Sequence, residues 1–213
     1  MADRYASIAE LVKSERRDID FRIRQSNRPG TIAVIAPHGG GIEPGTSEIA
    51  EAIAGAKYSF YAFEGIKAKG NGDLHVTSVR FDEPECVALV AASDRAIAIH
   101  GEGSTDPVVH PGGRDDETVE WLRIALERGG FRVGRDSRPG LSGRDPANIC
   151  NRTLRGIGVQ LELSLGLRSS CFHSLSRIGR RAVTPRFAEF VAAVHEGLES
   201  LPKIESGDSQ HRG

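Results

Sequence analysis

The stretch Thr31-Ile-Ala-Val-Ile-Ala-Pro-His-Gly-Gly-Gly-Ile-Glu43 decides the fold, because an apolar strand here runs into a polar, glycine-rich turn. Ile32 to Ala36 is continuously apolar, as in a buried strand, and Pro37 cannot donate to a strand ladder and is expected to end it. Open α/β sheets bind ligands at the carboxyl ends of their strands. We therefore expect His38 to lie at a ligand-binding edge, with Glu43 folded back beside it.

Three glycines, Gly39, Gly40 and Gly41, separate this histidine from the glutamate. They carry no Cβ atom, so they permit a tight turn and a close approach of backbone to a bound group. A histidine and a carboxylate brought together in this way are two of the three protein ligands of a catalytic zinc site. The third ligand is usually another histidine or a cysteine.

Length and composition restrict the class of protein. A chain of 213 residues fits one α/β domain, and 38% hydrophobic with 27% charged residues is ordinary for a soluble globular protein. The formal net charge of −1 provides no basic field for nucleic acid. The sequence has neither a signal-peptide core nor a run of about 18 apolar residues. Cys86, Cys150 and Cys171 form no CxxC pair, so we expect reduced packing cysteines in a cytoplasmic protein.

Hydrophobic periodicity predicts alternating strands and helices. We expect helices at about 7–17, 46–54, 83–92, 115–128 and 185–201, and strands at 20–24, 32–36, 57–63, 74–79, 95–100, 131–134 and 158–164. No repeat or linker divides the chain, which predicts one catalytic domain over 1–202 and a polar, disordered tail over 203–213. The alternation favours a mostly parallel sheet with helices on both faces.

Three of these strands carry polar residues that indicate a metal site. His38 and Glu43 follow one buried strand, His100 ends another, and Glu162 lies inside a third. Two histidines at one sheet edge could converge with Glu43 to supply two nitrogens and one oxygen. A zinc ion bound in this way keeps its fourth position for water and lowers the pKa of that water towards about 7.

Glu162 lies on the polar side of the alternating strand Gly158 to Ser164. In a central strand an unpaired carboxylate would cost several kcal/mol, so a cation or a proton-transfer role is expected to compensate it. A general base beside the metal would be such a role. A salt-bridged strand residue is the ordinary alternative, as is a purely structural role for His100.

Two further observations limit other interpretations. The remaining histidines carry less signal, although His110, predicted to lie in a loop, could line a pocket. His38-Gly-Gly-Gly also looks like the oxyanion-hole turn of serine esterases, which need a Gly-x-Ser-x-Gly elbow. No serine in this chain has glycines at both required positions, and this argues against an esterase.

Four motifs in order resemble the phage and bacterial poly-γ-glutamate hydrolase family: Pro37-His38-Gly-Gly-Gly-Ile-Glu43, Ile99-His100-Gly101, Asn148-Ile-Cys-Asn151-Arg152 and Gly158-Val-Gln160-Leu-Glu162-Leu-Ser164. The resemblance runs from about Thr31 to about Leu198. It implies a single three-layer α/β domain, similar to the zinc carboxypeptidases, with a mixed, mostly parallel twisted sheet between helices.

The resemblance also implies roles for individual residues. His38, Glu43 and His100 match the ligands of one zinc ion per chain, and Glu162 matches the glutamate that acts as general base and then as acid. Asn151 and Arg152 look like the pair that holds a substrate carboxylate or the oxyanion, for which a planar guanidinium is suited. Arg168 is a weaker candidate for a second contact with an anion.

Two departures from the carboxypeptidases are visible. Four residues rather than two separate His38 from Glu43, as in the hydrolase family, and the catalytic tyrosine of the carboxypeptidases has no evident counterpart. The expected activity is zinc-dependent hydrolysis of γ-glutamyl amide bonds. The alternatives are a deacylase of N-acyl amino acids and a non-catalytic, phage-related protein that acts in replication or binds a ligand. We expect a monomer whose partner is an anionic polymer or a small acidic amide, without nucleic acid or membrane.

Overall fold

One mixed sheet of seven strands runs through the molecule. The structure is a computed structural model and describes residues 3–134 and 141–202. The strands are β1 (Phe21–Ser26), β2 (Ile32–Gly40), β3 (Ser59–Gly65), β4 (Arg95–Glu102), β5 (Val108–Gly113), β6 (Arg132–Val133) and β7 (Val159–Ser164). Their order is β1-β3-β2-β4-β7-β5-β6. Pairing is parallel except between β1 and β3 and between β5 and β7.

Within the described ranges, six helices cover the two faces of this sheet: α1 (Ile8–Leu11), α2 (Thr46–Ala54), α3 (Pro84–Ala91), α4 (Asp116–Arg128), α5 (Leu165–Cys171) and α6 (Pro185–Glu199). Helices α2, α4, α5 and α6 pack on one face, here called the α6 face. Helices α1 and α3 pack on the other, the α3 face. The predicted three-layer α/β fold is therefore confirmed. No helix in the described ranges is both long and apolar enough to cross a membrane.

Local chemistry explains where the helices begin. Asp115 precedes α4, and its side chain accepts a hydrogen bond from the amide of Thr118. Glu83 caps α3 in the same way through the amide of Cys86, and Pro84 occupies the first turn, where a missing N–H costs nothing. The boundaries predicted for both helices agree with the structure to within one residue.

Three predicted elements differ from the structure. The helix expected over 7–17 ends at Leu11, because Glu15 turns inward to accept a hydrogen bond from the Tyr5 hydroxyl at 2.8 Å. The strand expected over 74–79 is an irregular segment between two 3-10 turns, and its alternation reflects only the buried side chains of Leu74 and Val76. The loop expected around His110 is strand β5, which pairs with β7 despite its proline and glycines.

Pro37 does not end its strand, contrary to the prediction, because β2 absorbs it in a β-bulge. The register with β3 pairs Ala36 with Ala62 and then Gly39 with Glu64, so two residues on β2 oppose one on β3. The ladder resumes beyond the proline, whose missing N–H falls inside the bulge. The pairing of β2 with β4, by contrast, extends only as far as Ile35 and Ala98.

The bulge also changes which face of the sheet His38 occupies. Val34 and Ala36 point to the α6 face, while Ala33 and Ile35 point to the α3 face. Strict alternation would place His38 on the α6 face. Its ring instead contacts the ring of Phe81 on the α3 face, with centroids 6.2 Å apart.

The structure describes the cysteines of the chain but not its predicted C-terminal tail. The three cysteines are buried and free of disulfides, as expected. The predicted tail over 203–213 lies outside the described residues, as do residues 135–140.

Candidate metal centre

His38, Glu43 and His100 meet at the carboxyl ends of β2 and β4. The Nδ1 atoms of the two histidines lie 3.2 Å apart. The Glu43 Oε1 atom is 3.2 Å from the His38 Nδ1 atom, and its Oε2 atom is 3.7 Å from the His100 Nδ1 atom. Ligands at about 2.0–2.1 Å from a tetrahedral zinc ion lie about 3.3 Å from one another. The three donors therefore have the spacing of a metal site.

The backbone fixes Glu43 beside His38. The amide of Glu43 donates to the carbonyl of His38 at 2.9 Å, which closes the turn that the glycines make. The amide of Gly101 on β4 then donates to the Glu43 Oε2 atom at 2.7 Å. Glu43 thus folds back beside His38, with its backbone held by β2 and its carboxylate by β4.

The glycines of this turn pack closely against other parts of the protein. A Cβ atom on Gly39 would lie 2.3 Å from the Ser47 hydroxyl oxygen, and one on Gly40 would lie 2.6 Å from the carbonyl oxygen of Gly65. Gly40 also has a φ of 66°, in the left-handed region. Close packing of β2 against α2 and β3 therefore requires glycine here.

The outer nitrogen atoms of the two histidines each contact an oxygen atom of the protein. The His38 Nε2 atom donates to the carbonyl of Val76 at 2.8 Å, and the His100 Nε2 atom lies 3.3 Å from the Ser78 hydroxyl. A carbonyl only accepts, so in a neutral His38 ring the lone pair belongs to Nδ1, which faces Glu43. Metal-binding histidines are oriented in this way by their outer nitrogens.

This donor set fits a divalent cation. Two Nδ1 atoms and a carboxylate converge in a buried position, where unbalanced polar groups are costly. Burial alone would raise the pKa of Glu43, but the neighbouring His38 and His100 lower it far below its usual range. Burial alone would lower the pKa of His100, whereas the hydrogen bond to Glu43 and the charges of Glu162 and Glu43 raise it. Imidazole nitrogens with one carboxylate are the ligands that zinc takes in hydrolases.

His75 joins this group, although no role was predicted for it from the sequence. Its Nε2 atom lies 3.9 Å from the Glu43 Oε1 atom, and its ring lies over the His38 ring with centroids 4.0 Å apart. Burial and the neighbouring His38 lower the pKa of His75. His38, Glu43 and His75 each offer a ligand atom within 4.8 Å of the others, so a metal ion could also be held by this group.

Glu162 lies in the same cavity, on the α3 face of β7. It pairs in register with His100 on β4 and with His110 on β5. Gln160 donates from Nε2 to the Glu162 Oε1 atom at 2.7 Å, and Asn148 donates from Nδ2 to the Gln160 Oε1 atom at 2.9 Å. This relay of amides orients the carboxylate. Asn148 and Gln160 stood in the quoted motifs, but no role was predicted for either.

Asn151 and Arg152 are not brought to the cavity, contrary to the prediction. The Arg152 guanidinium donates to the backbone carbonyls of Val79, Phe81 and Ala147 at 2.6–3.1 Å. The Asn151 amide group donates to the carbonyls of residues 143 and 145 and accepts from the amide of residue 158. Both side chains therefore tie the 141–158 segment to its neighbours.

Arg168 also contacts backbone rather than the cavity. It is buried, and its guanidinium donates to the carbonyls of Leu163, Pro44 and Glu102 at 2.8–3.1 Å. Burial lowers its pKa. Arg168 thus braces the backbone beside two proposed ligands, because Pro44 directly follows Glu43 and Glu102 lies two residues after His100.

Two adjoining cavities open at the centre. The inner one has a volume of about 270 Å³ and is lined by His38, Glu43, His75, His100 and Glu162, among others. The outer one, of about 430 Å³, is lined by Asp3, Ile42, Glu43, Gly72 and His75, among others. Glu43 and His75 are common to both, so they stand where the two cavities meet.

Comparison with known proteins gives consistent matches over most of the chain. A family model described as poly-gamma-glutamate hydrolase matches residues 5–193. The SPbeta prophage-derived UPF0714 protein YoqZ of Bacillus subtilis (strain 168) is 34% identical over 197 residues, which cover 91% of this chain and 70% of that protein. The UPF0714 protein YndL of the same organism is 35% identical over 201 residues, which cover 93% and 79%.

Two solved structures share the fold. A structure of a bacteriophage poly-gamma-glutamate hydrolase superposes with a TM-score of 0.90 at 30% identity, over 93% of this chain and 97% of that chain. A zinc-free form of YndL superposes with a TM-score of 0.87 at 34% identity, over 93% and 98%. The α/β architecture described above is therefore shared with these proteins over 93% of the chain.

Proposed function

Because the chain belongs to the poly-γ-glutamate hydrolase family, we propose that it hydrolyses γ-glutamyl amide bonds with the help of one zinc ion. The observation that carries the proposal is the convergence of His38, Glu43 and His100. Their donor atoms lie 3.2–3.7 Å apart in the pairs given above, with the outer nitrogen of each histidine next to a protein acceptor. A bound zinc ion supplies Lewis acidity, which lowers the pKa of water and polarises a carbonyl.

Residues of the chain provide proton transfer and hold the proposed base in position. Glu162 removes the proton of the attacking water and later delivers it to the leaving amine nitrogen. Gln160 and Asn148 hold the carboxylate for this transfer through the two hydrogen bonds described above. Since Arg152 is bonded to backbone carbonyls, it is given no part in stabilising the oxyanion.

The charge of the inner cavity also favours a cation at the centre. Among the described residues that line it, Glu43, Glu102 and Glu162 are acidic and none is a lysine or arginine. Without a dication this environment would repel a polyanion. With a dication bound, the cavity favours a neutral amide at the centre and keeps the side-chain carboxylates of the substrate outside.

Replacing Glu162 by glutamine tests the proposed base. We expect Glu162→Gln to retain zinc and lose hydrolysis by a factor of about 10²–10⁴, the usual contribution of acid–base catalysis. The assay follows shortening of poly-γ-glutamate by size-exclusion chromatography, with bound zinc measured by elemental analysis. Undiminished cleavage by the variant would exclude the role assigned to Glu162.

A matched control is Glu64→Gln, which removes another buried strand carboxylate that is not among the residues lining either cavity. The variant is expected to be less stable, because the substitution removes the ion pairs with Arg22 and Arg24, but still to cleave the polymer. If the wild-type protein binds zinc and cleaves a panel of N-acyl amino acids but not the polymer, the substrate is instead a small acidic amide.

A further inference from the structure

The pair formed by His75 and Asp3 has no part in the reaction described so far, yet it lies against the centre. The Asp3 Oδ1 atom is 2.7 Å from the His75 Nδ1 atom. An ionised carboxylate only accepts, so the His75 Nδ1 atom carries the proton. In the neutral ring the lone pair is then on Nε2, the atom that lies 3.9 Å from the Glu43 Oε1 atom.

Asp3 is itself firmly held. Its side chain is 9% exposed, and its Oδ2 atom accepts from the amide of Thr77 at 2.8 Å and from the Arg80 guanidinium at 3.0 Å. The same short segment therefore provides His75, the Val76 carbonyl that orients His38, and the Ser78 hydroxyl beside His100. The geometry of this segment directs the Nδ1 atoms of His38 and His100 and the Nε2 atom of His75 toward Glu43.

We propose that His75 is a fourth protein donor to the metal and a displaceable one, and that Asp3 is its positioning residue. A carboxylate on the outer nitrogen is the usual arrangement of a metal-binding histidine. The His75 Nε2 atom lies farther from the Glu43 carboxylate than the Nδ1 atoms of His38 and His100 do, at 3.9 Å against 3.2 and 3.7 Å. The His75 side chain is also 36% exposed, whereas both others are 3% exposed, so it is the outermost member of the set.

The position of His75 explains why this donor must leave. Four protein ligands close a tetrahedral site, whereas a catalytic site keeps one position open. His75 stands where the inner cavity of about 270 Å³ meets the outer one of about 430 Å³. A substrate that enters through the outer cavity therefore reaches the centre on the side of His75 and takes its place.

This inference rests on the proposed metal centre, so its test measures metal binding rather than activity. Zinc affinity is determined by competition with a chromophoric chelator, and Co²⁺ absorption in the visible range reports the coordination. We expect His75→Ala to weaken zinc binding at least about tenfold and to change the Co²⁺ spectrum. Asp3→Ala is expected to weaken binding about 10–100-fold, the range for outer partners of metal-binding histidines. Asp3→Asn, which keeps an acceptor oxygen, is expected to weaken it less.

Asp82→Ala is the matched control. Asp82 holds the same N-terminal segment through the amides of Ile8 and Ala9, at 2.6 and 3.2 Å, without touching His75. Circular dichroism verifies that each variant is folded. Equal weakening by Asp3→Ala and Asp82→Ala would overturn the positioning role. Wild-type affinity and spectrum in His75→Ala would overturn the ligand role alone, whereas a wild-type protein that binds no metal would overturn the centre as well.

Discussion

Gly101 shows how one absent atom shapes the centre. A Cβ atom there would lie 2.6 Å from the Arg168 Cζ atom, while the Gly101 amide donates to the Glu43 carboxylate. The strand can therefore pass between the guanidinium and the ligand only if residue 101 has no side chain. Arg168 cannot easily yield, because it is bonded to three carbonyls.

We expect Gly101→Ala to lower the free energy of unfolding by about 1–3 kcal/mol, the usual effect of overpacking. Gly103→Ala is the control, because a Cβ atom on Gly103 would meet nothing within 4 Å. Gly103→Ala should change the free energy of unfolding by no more than about 0.5 kcal/mol. Urea titrations of both variants measure the difference, and equal midpoints would contradict the packing argument.

Individual site residues differ in how well the sequence predicts them. His38, His100 and Glu162 were predicted because each ends or interrupts a strongly apolar strand. His75 was not, because it lies in an irregular segment and its partner Asp3 is 72 residues away. Arg152 was assigned to substrate because the Asn151-Arg152 pair resembles a family motif, and its backbone acceptors could not be foreseen because any sequence contains such carbonyls.

At the scale of elements, the buried parallel strands were predictable and the irregular ones were not. Strands β2, β4 and β7 are continuous apolar or alternating runs, and their pairing aligns the site. Strand β5 was missed because Pro111, Gly112 and Gly113 are typical of loops, although its register with β7 places His110 opposite Glu162. Helix α1 was predicted to extend beyond Leu11, where it ends, because Glu15 is charged yet buried.

Glu15 should make the attachment of this N-terminal element depend on pH. Burial raises the pKa of Glu15, but hydrogen bonds from Lys67 and Tyr5 outweigh it and leave the pKa below its usual value of 4.5. The folded state is therefore stabilised above about pH 4.5, and this contribution is lost as pH falls through the lowered pKa. Glu15→Gln should reduce the free energy of unfolding by about 2 kcal/mol at pH 7, and the difference from wild type should vanish in acid.

The control for this prediction is Glu199→Gln. Glu199 pairs with Lys57 at 2.8 Å, but more than half of each side chain is exposed. Exposed pairs contribute little because water and salt screen them. Denaturant titrations between pH 3 and pH 7 compare the two variants, and a pH-independent loss in Glu15→Gln would show that only packing is involved.

For the whole molecule, the proposed centre joins parts of the chain that are remote in sequence. His38 belongs to β2, His100 to β4 and His75 to the segment that Asp3 holds. An ion that binds only the folded chain raises its stability, by about 2.7 kcal/mol at a free concentration of 100 times the dissociation constant. The fold was predicted from the sequence, but this connection through the N-terminal segment was not.

Zinc should therefore raise the melting temperature, and a chelator should reverse the rise. We expect His38→Ala to abolish the zinc-dependent shift, measured by differential scanning calorimetry. His195→Ala should keep it, because His195 is bonded to the carbonyl of Ile53 on the α6 face, away from the centre. An equal shift in wild type and His38→Ala would mean that zinc binds elsewhere.

The bulge in β2 has a consequence for insertions and deletions. Because side chains alternate between the faces of a strand, the position of His38 depends on whether the count of residues from Ile35 is odd or even. The extra residue opposite β3 changes this parity and brings His38 to the side of His100 and Glu162. Losing only the extra residue would restore plain alternation and leave the imidazole on the α3 face, whereas losing two residues would turn it toward the α6 face. The side that His38 faces therefore depends on the length of this short stretch and on the bulge together.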